Sequence, residues 1–315
     1  MASSGWPQPL QPVTGPMRPA KIDGAARGMG DRGPATRSMV EAGLVPPDLL
    51  CGLTLFLLAN QPRPARPPGA TGSERKGAAG VSGGVWVRER FTVHRPLPTA
   101  EVFLVEGEAV GRHVRKGRRY GTTVSRTVDA AHRPVASNVT TGLLSYRPEA
   151  GLADGVDGQP ADEVEVRGPD HGAAAENPHL DVLLAVRLGD TFGGDELVVS
   201  LAMMAARDTD NPDNPIHSDL EEAKRAGLAK PIAGGSHVLS FAIEPLLAAW
   251  GPGALSHGAA FDVRWKAPTE ADDAIVPTAT VTSVDDGVIV VTVEVALAAG
   301  PVAMTGTVAV PVPTS

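Results

Sequence analysis

The sequence predicts an α+β protein made of two copies of one unit, in each of which an antiparallel sheet wraps a single long apolar helix. Three observations carry this. A helix followed by a set of strands occurs twice along the 315 residues. Short motifs return in the same order: Ala42-Gly43-Leu44-x-x-Pro47 as Ala226-Gly227-Leu228-x-x-Pro231, and Phe91-x-Val93 with Pro98-Thr99 as Phe261-x-Val263 with Pro268-Thr269. Turn residues also divide the Val-rich C-terminal stretch into hairpins.

Taken in order, the first helix is expected over Pro47–Asn60, around the apolar run Leu49–Ala59. That run falls well short of the roughly 20 residues that span a bilayer, so it reads as a buried helix. A Pro- and Gly-rich linker, Pro62–Gly84, follows. Val85–Arg95, Val102–Val114, Arg119–Asp129 and Val135–Arg147 are rich in β-formers and are expected as antiparallel strands.

Glu149–Pro178 repeats the linker composition and divides the chain into units 1–148 and 179–315, with 149–178 between them. In the second unit, Leu180–Ala205 reads as extended. Ser236–Trp250 reads as the long helix, with Val238, Leu239, Ile243, Leu246 and Leu247 as its apolar positions. Val276–Val284, Val288–Leu297 and Val302–Val312 are strands, joined by Asp285-Asp286-Gly287 and Gly300-Pro301.

Composition narrows the function. The chain carries 36 Gly and 29 Pro, yet 42% hydrophobic residues suffice for a core. A net charge of −8 argues against a nucleic-acid partner, whose phosphates are bound by clustered Lys and Arg. The one basic run, Arg112 to Arg119, reads as a solvated hairpin end, with capture of coenzyme A phosphates or an acidic carrier protein as the second reading. Cys51 stands alone and the N terminus lacks a secretory pattern, so a cytoplasmic protein is expected. No metal or cofactor is expected. Asp208, Asp210 and Asp219 imitate a calcium loop, but Pro212 and Asp213 fill the places that need an oxygen ligand and a glycine. His171, His179, His237 and His257 lack ligand spacing.

The most informative stretch is Arg207–Leu239. Asn214-Pro215-Ile216-His217, followed by Pro231-Ile232-Ala233-Gly234-Gly235 at the mouth of the long helix, resembles the MaoC-like (R)-specific enoyl-CoA hydratase and dehydratase family. The resemblance implies a hotdog fold, here in its double form. It implies that His217 and Asn214 are catalytic and that the Gly235 N–H faces a thioester carbonyl, with Gly234 and Ser236 beside it. Gly234 replaces the usual histidine. The family's aspartate, five residues before its histidine, is Pro212 here; Asp213 and Asp210 are the candidates to take its place.

In the first copy, Gly30-Asp31-Arg32-Gly33-Pro34-Ala35-Thr36 keeps part of the pattern, with Gly33 and Thr36 where Asn and His would stand. That copy is expected to be inactive and to shape the acyl tunnel. The implied reaction interconverts 2-enoyl and 3-hydroxyacyl thioesters of CoA or a carrier protein. It needs a base for water, an acid for C2 and donors for the enolate-like oxygen. The alternatives are a silent acyl-thioester-binding subunit and a different thioester reaction on the same scaffold. The fused pair is expected as a monomer or a homodimer.

Overall fold

The structure is a computed structural model and describes residues 5–61, 85–144, 148–208, 215–225 and 228–313. The linker Pro62–Gly84 lies outside the described residues. The chain opens with short strands β1 (Gln8–Pro9) and β2 (Val13–Gly15), then helices α1 (Pro19–Gly28) and α2 (Pro34–Glu41). Where one helix is predicted over 47–60, two pieces form instead, α3 (Pro47–Leu50) and α4 (Leu53–Ala59). The break falls at Cys51-Gly52. Glycine is a poor interior helix residue, and a Cβ on Gly52 would sit 3.2 Å from the Leu49 carbonyl oxygen.

Four long strands complete the first copy: β3 (Val85–Val93), β4 (Phe103–Arg115), β5 (Arg118–Asp129) and β6 (Pro134–Leu143). Next come β7 (Gly155–Gly158), α5 (His171–Ala174), α6 (Leu180–Leu184), β8 (Thr191–Gly193), β9 (Leu197–Val199) and α7 (Leu201–Arg207). The extended reading of 180–205 is therefore corrected: its two ends are helical. Ser200 starts α7 by accepting the Met203 N–H at 3.2 Å, a cap that outweighs the Val-rich pattern before it. The stretch 149–178 lies along the sheet rather than away from it. Its β7 pairs with β4, Asp162 meets Arg88, and Asp170 meets His94 at 2.8 Å.

The second copy has α8 (Leu220–Arg225), the helix α9 (Gly235–Trp250), then β10 (Ala260–Trp265), β11 (Asp273–Asp285), β12 (Val288–Leu297) and β13 (Val302–Pro311). All five predicted apolar positions of α9 are buried. Among the described residues the strands form one sheet, whose long members run β4-β5-β6-β3-β10-β13-β12-β11. The order on one side of the centre is repeated in reverse on the other. At that centre the repeat-matched Phe91 and Phe261 pair directly, their rings stacked 4.2 Å apart.

The hairpin turns match as well. Lys116-Gly117 and Asp286-Gly287 all have positive φ (52°, 71°, 49° and 72°), as a two-residue turn between twisted strands requires. No helix among the described residues is long and apolar enough to cross a membrane.

Candidate active site

The site is built where two short segments meet the N-terminus of α9. Pro215–His217 forms a single 3-10 turn, fixed by the Asp219 N–H donating to the Pro215 carbonyl at 2.8 Å. His217 Nδ1 lies 2.7 Å from the Ile232 carbonyl oxygen. A carbonyl only accepts, so Nδ1 carries the proton and donates it, which makes Nε2 the basic nitrogen of the neutral ring. Gly234, extended at φ −63° and ψ 149°, is the N-cap of α9 and offers no side-chain cap. A Cβ on Gly234 would lie 3.9 Å from His217 Cε1, so the imidazole sits across the helix mouth.

At that mouth the first N–H groups have no intrahelical acceptor and carry partial positive charge. Gly235 is held open by aromatic packing. A Cβ there would fall 2.6 Å from Trp86 Cε3 and 3.2 Å from Trp265 Cε2, so no other residue fits without displacing a ring. Trp86 comes from β3 of the first copy and Trp265 from β10, with ring centroids 5.4 Å apart. Both copies therefore wall the mouth. Ser236, half-buried in the first turn of α9, stands beside it. Asp210, Asp213 and Asn214 lie outside the described residues, as does Pro212. The arrangement sets an imidazole beside a row of backbone N–H donors, groups of the kind that base catalysis and oxyanion stabilisation use.

Near it is a set of buried polar groups, of which only His237 drew comment from the sequence, as a histidine without ligand spacing. Arg207, at the end of α7, forms an ion pair with Asp48 of α3, and both side chains are enclosed. His237 Nε2 meets the Gly28 carbonyl at 2.8 Å; burial, then the nearby Arg207 charge, pushes its pKa down to about 3, so it is a neutral core histidine. Glu244 of α9 takes three hydrogen bonds from the first turn of α2 in the first copy, from Ala35 N at 2.7 Å, Thr36 N at 3.1 Å and Thr36 Oγ1 at 2.6 Å. That carboxylate serves the N-terminus of α2.

Glu89 is wholly buried on β3. Asn138 Nδ2 donates to its Oε1 at 3.0 Å, and desolvation pushes its pKa up to about 8. The signal was available: in VWVRERFTV, Glu89 occupies an inward position in register with Phe91 and Val93. With the folded pKa near 8 and an ordinary value of 4.5, the folded state holds a proton that the unfolded state releases. Stability is then highest below about pH 4.5 and falls as pH rises toward 8. Glu89→Gln removes this dependence. In urea unfolding at pH 5, 7 and 9, the wild type is expected to lose about 3–5 kcal/mol relative to Glu89→Gln, on the linkage of 1.36 kcal/mol per unit. Parallel pH profiles for the two proteins would refute it.

Residues 206–300 match the sequence profile of the MaoC-like domain. No curated protein sequence matches the chain. Among solved structures, a MaoC-like dehydratase superposes with a TM-score of 0.67 at 20% identity, covering 99% of each chain. Full-length peroxisomal multifunctional enzyme type 2 from Drosophila melanogaster gives 0.62 at 15% identity, covering 95% of this chain and 48% of that one. A Mycobacterium tuberculosis protein described as having a double hotdog fold gives 0.57 at 15% identity, covering 96% of each. The architecture is thus a double hotdog.

Proposed function

We propose, from the premise that residues 206–300 form a MaoC-like domain, that the protein is a hydro-lyase interconverting 2-enoyl and 3-hydroxyacyl thioesters. The observation that carries this reading is His217, oriented by the Ile232 carbonyl and lying across the N-terminus of α9. In hydration, Nε2 of His217 takes a proton from water as its oxygen attacks C3. The thioester oxygen gathers negative charge as the C2–C3 double bond opens, and the N–H of Gly235, with that of Ser236, faces it. The carboxyl proton of Asp210 or Asp213 passes to C2 to complete the addition, and the proton held by His217 then returns to that carboxylate. Asp210 or Asp213 is proposed to hold the water with His217, and Asn214 to position the loop. Trp86 and Trp265 keep bulk water from the reacting carbons.

The test is direct. Short and medium 2-enoyl-CoAs are incubated with the protein, the enone absorbance is followed, and products are weighed. Loss of absorbance with a product heavier by one water supports the reading; release of free thiol without hydration replaces it with thioester hydrolysis. One observation favours a second reading, a silent acyl-thioester-binding subunit: Pro212 stands where the family has its acid. That reading requires binding by calorimetry with no turnover of any enoyl thioester.

A further inference from the structure

A second set of reactive side chains lies away from the α9 mouth. His94 directly follows β3, eight residues beyond Trp86, which sets it about 25 Å along the strand from that wall of the mouth. Glu89, Phe91 and Val93 point toward the helices, so Thr92 and His94 face the other way, toward the stretch 149–178. Ser137 of β6 stands opposite Thr92, and Arg126 of β5 stands opposite Ser137, so their side chains share that outer face.

Two of these groups join Asp170 in a chain of hydrogen bonds. Asp170 Oδ2 lies 2.8 Å from His94 Nδ1, and His94 Nε2 lies 3.0 Å from Ser137 Oγ. A carboxylate only accepts, so Nδ1 carries the ring proton. Burial holds the His94 pKa below its ordinary value of 6.5 against the pull of Asp170, so the ring is neutral at pH 7 and Nε2 is bare. Ser137 then donates its hydroxyl proton to Nε2. Donation from serine to imidazole to carboxylate is the arrangement of an activated nucleophile, its base and the group that orients the base.

The partners are held in place by other contacts. Asp170 Oδ1 accepts the Gly172 N–H at 3.1 Å at the start of α5, the Asp170 N–H donates to the Gly258 carbonyl at 2.8 Å, and the His94 N–H donates to the Val135 carbonyl at 2.9 Å. Thr92 donates to the Arg167 carbonyl, so it does not compete for the imidazole. Ser137 is half-buried, while Arg126, Arg167 and Gly168 on the same side are exposed.

We infer that Ser137 and His94, oriented by Asp170, form a second catalytic site that hydrolyses small carboxylic esters independently of the chemistry at His217. His94 Nε2 takes the hydroxyl proton as Ser137 Oγ attacks the ester carbonyl carbon. The carbonyl π electrons move onto oxygen. Arg126 stands beside that charge, its Nε on Glu106 and its terminal nitrogens without a hydrogen bond among the described residues. The adduct collapses, the C–O bond to the alcohol breaks, and His94 gives its proton to the departing oxygen. Water then repeats the sequence on the acyl-serine, so ester and water become acid and alcohol and Ser137 is restored. Asp170 touches neither reactant and is a positioning residue.

The experiment uses p-nitrophenyl acetate, with nitrophenol release followed by absorbance, and a fluorophosphonate probe, with the labelled residue located by peptide mass. His217→Ala serves as the background protein, so that its imidazole does not contribute. Turnover and an adduct on Ser137 are expected. Ser137→Ala in that background is expected to lower kcat at least about 10²-fold and to abolish the adduct. In Asp170→Asn the cap on α5 keeps the amide oxygen, so the NH₂ faces His94 and forces the ring proton onto Nε2. That variant is expected to lose about 10²–10⁴ in kcat with KM and the thermal midpoint little changed, a split that a purely structural role would not produce. No turnover by the background protein, an adduct at another residue, or an unchanged kcat in Ser137→Ala would overturn the inference and leave the three residues as a fastening for 149–178. Ser137→Ala in the wild-type background is expected to leave enoyl-thioester hydration unchanged, which keeps the two activities separately testable.

Discussion

His217→Ala is expected to lower kcat for enoyl-thioester hydration by about 10²–10⁴, with KM changed little. The geometry gives both halves of this expectation. On the proposed function the imidazole, which meets the Ile232 carbonyl at 2.7 Å, is the group that takes the proton, so its loss acts on the chemical step. In the proposed function the thioester is held by the N-terminus of α9 and its tryptophan walls, which the substitution leaves alone. His217→Gln is a sharper probe, because an amide can still donate to the Ile232 carbonyl but cannot take up a proton. It should fold like the wild type and be as slow as the alanine variant. Hydration at the wild-type rate in either would show that another group is the base.

Asp48→Ala is expected to destabilise the protein by about 3–5 kcal/mol, because it leaves the Arg207 guanidinium buried without its partner. Asp48 is fully enclosed and the Arg207 side chain is 7% exposed, so water cannot readily replace the lost carboxylate. A second substitution decides the cause. Asp48→Leu combined with Arg207→Met removes both charges and fills the space with apolar atoms, and such swaps are often neutral. Urea unfolding should show the single variant far less stable and the double variant close to the wild type. Equal losses in the two would mean that the carboxylate acts through packing alone.

Much of the architecture was legible because it rests on local patterns. The apolar spacing of Ser236–Trp250 marked α9, and the Asp-Asp-Gly turn after Val284 marked the hairpin of β11 and β12. The repeat was legible too, since Phe91 and Phe261 recur in matching contexts and meet at the centre of the sheet. What local pattern did not show was decided by contacts between distant residues. The break at Gly52 reflects a glycine inside an otherwise helical apolar run. The helices at either end of 180–205 depend on caps and packing that override Val-rich propensity. At the site, His217 and Gly235 were readable from motif and helix mouth together. Trp86 was not, because only the pairing of β3 with β10 brings it from the other copy to Gly235.

The cross-bracing of the loops has a consequence for how this chain can vary. Thr36 of α2 in the first copy is tied to Glu244 on α9 of the second, and Arg207, at the end of α7 in the second, is tied to Asp48 of α3 in the first. Each half thus encloses an ionisable group whose partner belongs to the other. A gene split between the repeats would yield two fragments, each with an orphaned carboxylate or guanidinium in its interior. A change at Thr36 or Asp48 is therefore felt in the second copy, and one at Glu244 or Arg207 in the first, so the two copies are constrained to vary together.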